Sequence, residues 1–436
     1  MATPPSETTL STGQKALQLN LDASWYGTLA EIGAGQEVAR WFFAVGGAAG
    51  TVAKTISAYD MTVSDGIYGK SQRYVSRERL EQMLEHEYAA LRESLAGPRG
   101  EKTSFFVFAD TVATRSYARR VDGEGWLGIK FQDRPGGETS QILLHTRLLD
   151  PEAKGQQEAL GLLGVNLVYA AWRLRSAGLA GFVPGLGEEI SRDRLEVDFI
   201  DVSGPIFAGV DVRRLNLELV LNQLTHAAVF EADGHPVEGG RALYKREAFV
   251  LREHFRPFRG LHRDMLTAAR EQLTSPEDGG RAVMLAEISI TNPLPGVAEP
   301  GTQASAVVGA DELLARLDAL AAAGLATLVT DFEELFRVAL YLRRYAAPRV
   351  VFVIGTPAFA HFFSGRPFEA LDGGAMEALG RLLTRTVRIA LYPEPDPRTG
   401  RTVSARTMPL SPEYTHLRDY LFDNDFVHEL RSLSGG

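Results

Sequence analysis

From residue 281 onward the chain repeats one rhythm, a short apolar run followed by a longer amphipathic one. "AVMLAEISI" precedes residues 310–323, "ATLV" precedes 331–346, "RVVFVI" precedes a segment near 370–384, and "VRIALYP" comes next. Short runs rich in Val and Ile read as strands buried on both faces, and the runs between them have helix length and period. Strands separated by helices cannot close as tight hairpins, so neighbouring strands run parallel with helices on the sheet faces. The expected fold class is therefore α/β, with a parallel Rossmann-like sheet over 281–436 and a C-terminal helix at 411–431. In such a sheet ligands sit outside the carboxyl ends of the strands. Those ends read Thr291-Asn292, Thr330-Asp331 and Gly355-Thr356. Thr330 with Glu333 also fits a capping box, which explains that threonine without a ligand.

Upstream the pattern is mixed. Residues 1–14 are largely polar and read as a flexible tail. "ALQLNLD" alternates, with Leu17, Leu19 and Leu21 on one side, and predicts a strand. Thr28 and Glu31 have capping-box spacing, which predicts a helix from Leu29 towards Phe43. Residues 76–95 place Leu80, Met83, Leu84, Leu91 and Leu95 near one helix face. "TSFFVFAD", "GWLGIKFQ" and "SQILLHTRLL" predict an antiparallel meander. A helix over 152–175, a strand at "RLEVDFIDVSG" and a helix over 211–228 follow. "RALYKREAFVLREHF" alternates and "HRDMLTAAREQL" is helical. The Ser-, Pro-, Asp- and Gly-rich loop 274–280 marks the boundary between an α+β domain, 15–273, and the α/β domain, 281–436. No repeat at a solenoid period is present.

The net charge of -9 argues against a general nucleic-acid binder, which would carry a basic footprint. The chain has no cysteine, which excludes disulfides, thiolate catalysis, Cys-ligated zinc and iron–sulfur clusters. The histidines are scattered, without H-x-x-x-H spacing, and no haem is expected. No uncharged apolar run approaches the roughly 18 residues of a membrane span, and no secretory signal opens the chain. A soluble, cytoplasmic protein without membrane partners is the expectation.

Two stretches carry possible ligand chemistry. In "EIGAGQEVARWFFAVGGAAGTVAKT", Gly33 and Gly35 resemble the start of a dinucleotide fingerprint, but Val38 stands at the third glycine position. The predicted helix places them in its interior, as a close-packing patch. "AAGTVAKT", 48–55, has the Lys-Thr ending of a phosphate loop, with alanines at both glycine positions. A helix ending and another starting there would leave free N–H groups for an anion. Gly50, Thr51, Lys54, Thr55, Arg73 and Arg77 are the candidate anion or nucleotide ligands. Asp60 and Asp65 are candidates for magnesium accompanying a nucleotide, since that ion often needs only one or two carboxylates. Tyr59 and Tyr68 offer stacking surfaces. The plainer reading is a glycine-rich turn followed by a polar loop. A second basic stretch, 241–264, contains Arg246, Arg252, Arg256, Arg259, His262 and Arg263, and reads either as an anion site or as a solvated face.

The run "YGTLAEIGAGQEVARWFFAVGGAAGTVAKTISAYDM" resembles an uncharacterised family of large bacterial cytoplasmic proteins. The resemblance continues through "QQEALGLLGVNLVYAA" and "FRPFRGLHRDML". One label carried in that family is nicotinamide-nucleotide adenylyltransferase, which implies an [HT]-x-G-H motif and a later I-S-x-x-x-x-R motif. This chain has no [HT]-x-G-H, and its "ISITNPL" lacks the arginine. Two readings therefore stand: a protein binding a nucleotide or small phosphorylated metabolite, such as a nucleotide-dependent transferase, and a non-catalytic protein assembling into a homo-oligomer or filament.

Overall fold

Strand β1 (Trp25–Ile32) organises the first half of the chain. It pairs in parallel with β2 (Val52–Ile56) on one side and β3 (Ser104–Ala113) on the other, with Trp25 opposite Ser104 and Ile32 opposite Thr111. The computed structural model describes residues 10–115, 122–274, 281–291, 308–356, 358–359, 363, 371–394, 404–406, 408, 410 and 412–432. The chain divides into two compact units, Met1–Thr225 and His226–Gly436. Both are α/β.

In the first unit β4 (Gly123–Gln132), β5 (Thr139–Leu148) and β6 (Leu195–Ser203) continue the sheet antiparallel, in the order β2-β1-β3-β4-β5-β6. Alternation along β3 sends Phe106 and Phe108 to one core and Phe105, Val107 and Ala109 to the other. Helices α1 (Thr12–Leu21), α2 (Glu37–Ala44), α5 (Ala153–Ala177), α6 (Phe182–Leu186) and α7 (Val212–Leu221) contribute to the first core. Helices α3 (Met61–Tyr68) and α4 (Arg77–Arg99) contribute to the second. The meander and the helix of 76–95 form as the sequence predicts, α4 being capped by Ser76.

Three local expectations are corrected. "ALQLNLD" is helical: a capping box of Ser11 and Gln14 starts α1, and Lys15, Ala16 and Leu19 are buried at helical spacing while Leu17 and Leu21 face outward. Residues 28–32 belong to β1, not to a helix. A capping box stabilises by roughly 1 kcal/mol, whereas Trp25 and Leu29, both fully buried, contribute about 2 kcal/mol each, and the ladder is satisfied on both edges. "GGAAGT" joins α2 to a strand through a short 3₁₀ turn, Ala48–Gly50, so Lys54 and Thr55 lie in β2.

In the second unit six strands are parallel: β9 (Ala248–Arg252), β10 (Val283–Ser289), β11 (Ala326–Thr330), β12 (Val350–Gly355), β13 (Val387–Tyr392) and β14 (Val427–Glu429). Their order is β11-β10-β9-β12-β13-β14, with β7 (Ala227–Phe230) antiparallel to β11 and β8 (Pro236–Val237) beyond it. Helices α8 (Gly239–Leu243), α11 (Leu335–Arg344), α12 (Gly374–Leu382) and α13 (Pro412–Asp423) share a core with one face. α9 (Gly260–Leu273) packs on β9 and β12, and α10 (Ala310–Ala322) on β11. The expected boundary at 274–280 is corrected. Residues 226–273 belong to the second unit, where β9 is the central strand. A turn-rich loop reports that the chain turns, not whether the strands on its two sides share a sheet. The Thr330–Glu333 capping box is also absent, because Thr330 ends β11 and α11 begins at Leu335.

The turn after β1 has specific demands. Gly33 and Gly35 have φ of +102° and +83°, and a Cβ on Gly33 would lie 1.8 Å from the Val112 carbonyl oxygen. A Cβ on Gly35 meets open space. Gly33→Ala is expected to cost at least about 3 kcal/mol, from the clash added to the backbone strain, and Gly35→Ala only about 1 kcal/mol. All four tryptophans, Trp25, Trp41, Trp126 and Trp172, lie in the first unit, so urea unfolding followed by their fluorescence measures both values. Equal losses would contradict the packing assigned to Gly33.

Candidate functional site

The residues of 48–77 are largely engaged within the first unit. A Cβ on Gly50 would lie 2.7 Å from the Asn20 carbonyl oxygen. Thr51 is buried and donates to the Leu19 carbonyl at 2.7 Å. Lys54 lies 2.5 Å from Glu87 of α4, which also accepts from the Tyr68 hydroxyl at 2.9 Å. Thr55 is half-buried on β2. Asp60 is the N-cap of α3, accepting from the N–H groups of Thr62 and Val63. Asp65 accepts from Arg79 at 3.0 Å and from the Tyr74 hydroxyl at 3.1 Å. Arg77 pairs with Asp201 at 2.6 Å and Glu81 at 3.0 Å. Arg73 is exposed and 3.9 Å from Glu124. Lys54 and Asp65 thus serve contacts that tie β2 and α3 to α4, whereas Asp60, Arg73 and Arg77 are engaged elsewhere. Among the described residues no group of three or more His, Asp or Glu side chains is placed to hold a metal ion.

The "GAG" step occupies a strand-to-helix turn, between β1 and α2, rather than a helix interior, which is the position the glycine turn takes in dinucleotide-binding folds. The helix N-terminus that would receive a phosphate is filled by the chain itself. The Glu31 carboxylate accepts from the N–H groups of Val38 and Ala39, both at 2.9 Å. Opposite it on β3 stands Asp110, whose Oδ1 accepts from Ile32 N–H at 3.1 Å and whose Oδ2 has no hydrogen-bond partner. Both side chains are buried. Burial pushes Glu31 up to about 7, with the charge of Glu37 adding to it. Burial and then the Glu31 charge push Asp110 well above the carboxylate range. Two carboxylates so placed cannot both ionise cheaply.

The second unit closes part of its sheet end in a different way. Arg252 at the end of β9 donates to both Glu287 oxygens from its Nε and, at 2.9 Å, its Nη2, and Thr330 donates to the same carboxylate at 2.5 Å. Arg252 also donates to the carbonyls of Phe332 and Glu333. The winding reverses between β9 and β12, with strands added outward in both directions, and this is the switch point at which open α/β sheets bind ligands. The loop after β9 carries the basic groups. Its Phe255 and Phe258 pack edge-on against His262, with ring centroids 5.2 and 5.5 Å away. His262 in turn accepts from the Arg259 N–H at 3.2 Å. Burial, then Arg259, lowers His262 to about 4, so it serves as a neutral ring in a packed stack.

Around this stack Arg256 and Arg259 are exposed. Arg256 contacts Glu312, and so does Arg316 of α10. The Arg316 side chain is buried, and its Nε has no hydrogen-bond partner. Burial lowers His254, and the charges of Arg316 and Arg256 lower it further. Arg256 and Arg316 thus share one carboxylate with His254 close by. Glu253 and Glu394, both half-buried, lie at the same strand ends. Of the basic stretch 241–264, the structure places Arg256 and Arg259 here. Arg252 goes to the buried ion pair, Arg246 to the carbonyls of Ala242 and Arg281, and Arg263 to that of Ala323. Sequence reasoning missed Glu31, Asp110, Arg316, Glu312, Glu253 and Glu394. The last two stand one and two residues past strand ends, which was the available signal. Asn292 lies outside the described residues, and Thr356 is buried, its hydroxyl directed to the Tyr392 carbonyl.

The carboxylates at the end of β1 and β3 make the first unit pH-sensitive. Groups raised above their unfolded values contribute stability that is present at low pH and lost as pH rises through the folded value. Between the ordinary Glu value of 4.5 and about 7, Glu31 alone accounts for a loss on the order of 3 kcal/mol. Urea unfolding followed by tryptophan fluorescence should show the first unit weakening from about pH 5 to pH 8, with Asp110→Asn flattening that slope. Parallel slopes for the two proteins would remove the pair as the cause.

No protein-family model and no curated protein matches the chain. Among solved structures it is similar to the competence/damage-inducible protein CihA from Agrobacterium tumefaciens, with 17% identity over 39% of this chain and 98% of that one, at a TM-score of 0.27. A competence-damaged (CinA) superfamily protein from Enterobacter cloacae shows 16% identity over 39% and 98%, at 0.27. A competence or damage-inducible protein from Enterobacter asburiae shows 14% identity over 38% and 99%, at 0.26. Likeness at this level carries no functional argument.

Proposed function

We propose that the protein binds a small phosphate-bearing molecule, a nucleotide or phosphorylated metabolite, at the carboxyl end of the second sheet beside β9 and β12. One observation carries the reading: Arg256, in the strand-to-helix turn after β9 and with His254 close by, shares the carboxylate of Glu312 with Arg316, both of the latter on α10, in a sheet wound about β9. In dinucleotide sites that turn holds phosphate through glycine backbone N–H groups. Here guanidinium groups take that part, and their planar donor sets match phosphate oxygens. The Arg316 Nε, buried without a partner, is a donor that an anion would satisfy. Magnesium enters as the counterion of a nucleotide's phosphates, and the enzyme class that fits such a ligand is a nucleotide-dependent transferase. Lys54, Arg77 and Asp65 keep a structural part in this reading, because carboxylate or guanidinium partners already engage them.

Titration calorimetry with ATP, NAD and nicotinamide mononucleotide, with and without magnesium, tests it. At least one ligand should bind, Arg256→Ala should weaken it by about tenfold or more, near 1.4 kcal/mol, and Lys54→Ala should leave it unchanged. Binding lost in Lys54→Ala and kept in Arg256→Ala would move the site to the first unit.

A second reading, self-association, is supported by the open edge of β2 and the neighbouring side chains of Tyr59, Met61 and Val63, which are 71%, 63% and 53% exposed. Large apolar groups clustered beside an unpaired strand favour pairing with another chain. Light scattering should give a mass above 47.6 kDa that falls towards it in Met61→Asp. A single-chain mass for the unaltered protein would overturn this reading.

A further inference from the structure

We infer that anion binding at the switch point is coupled to proton uptake by Glu253 and Glu394. This rests on the binding reading above and adds to it. The geometry comes from three neighbouring strands, β13, β12 and β9. Glu253 is the first residue past β9 and Glu394 the second past β13, and β12 ends between them at Gly355, opposite Tyr392. The Glu394 carboxylate lies directly over that glycine, since a Cβ at 355 would fall 1.7 Å from its Oε2. Only glycine at the end of β12 lets Glu394 lean across towards β9. Among the described residues the Glu253 carboxylate accepts one hydrogen bond, from the His254 N–H at 3.2 Å, and the Glu394 carboxylate accepts none.

The charged and titratable groups near these strand ends come from three further segments. The loop into α9 provides His254, Arg256 and Arg259, and α9 itself provides His262, while α10 provides Arg316 and Glu312. Burial raises both carboxylates and the Glu394 charge raises Glu253 further, whereas Arg259 opposes this at both. An anion seated on Arg256, Arg259 and Arg316 screens that opposing charge and brings negative charge of its own. The ionised pair is then disfavoured, and one proton moves from solvent onto a carboxylate oxygen. Linkage makes the effect reciprocal, so binding tightens as pH falls.

Sulfate is the suitable probe, because it has phosphate geometry and does not titrate near neutrality. Calorimetry at pH 7 in buffers of different ionisation enthalpy gives the protons taken up per sulfate bound. The unaltered protein should take up a measurable fraction of a proton per sulfate bound, and more as the pH is lowered towards the carboxylate range. Glu394→Gln and Glu253→Gln should each bind sulfate with the uptake reduced or abolished. Sulfate binding without proton uptake overturns the coupling and leaves the anion site standing. Uptake unchanged in both variants also overturns it, by placing the proton elsewhere. Absence of sulfate binding overturns both the coupling and the site beneath it.

Discussion

The Glu31 carboxylate on the first turn of α2 is the contact on which the first unit turns. It joins β1 to α2 across two glycines, and it stands against Asp110 at the buried end of β3. A helix N-terminus can hold a negative charge, but burial in a central strand works against that charge. The two effects leave a pair that carries less than its full charge near neutral pH. The turn geometry follows from the same contact. Gly33 must pass under the Val112 carbonyl for α2 to present its N–H groups to Glu31.

The second unit meets the same problem with a cation. At the ends of β9, β10 and β11 the buried Glu287 is held by Arg252 and Thr330, so its charge is compensated. A buried pair of this kind adds little net stability, but it uses up the polar groups at three strand ends. The junction of β9 with β12 is left, and the unbalanced guanidinium groups and the uncompensated acids collect there. The proposed anion site lies at that junction because Glu287, Arg252 and Thr330 at the neighbouring strand ends are already satisfied by one another.

The charged loop that follows the glycine-rich turn shows why a list of residue types misleads. Lys, Asp, Arg and Tyr within some thirty residues look like phosphate chemistry. A cation is available to a ligand only when no carboxylate of its own chain reaches it first. Glu87 and Arg79 of the following helix α4, and Asp201 of β6, far along the chain, neutralise Lys54, Asp65 and Arg77. Arg316 shows the converse. It reads as one polar position on an amphipathic helix, and the fold brings it to Arg256 sixty residues earlier.

By itself the sequence determined the α/β class, the parallel strands beyond 281, the meander of β3 to β5, and the long helices α4 and α5. These follow from the periodicity of apolar side chains, a local property that survives wherever the segment is placed. It did not determine whether "TLAEI" is strand or helix, whether "ALQLNLD" is strand or helix, or that β9 belongs with the strands beyond 281. Those outcomes depend on which partners a segment meets. Trp25 and Leu29 are buried only because they join a core with side chains from α1, α2, α5 and the neighbouring β3, and Glu31 takes its place only because α2 begins where the turn allows. The tertiary structure alone decided which charges are spent internally and which remain, because compensation depends on distances between residues far apart in the chain.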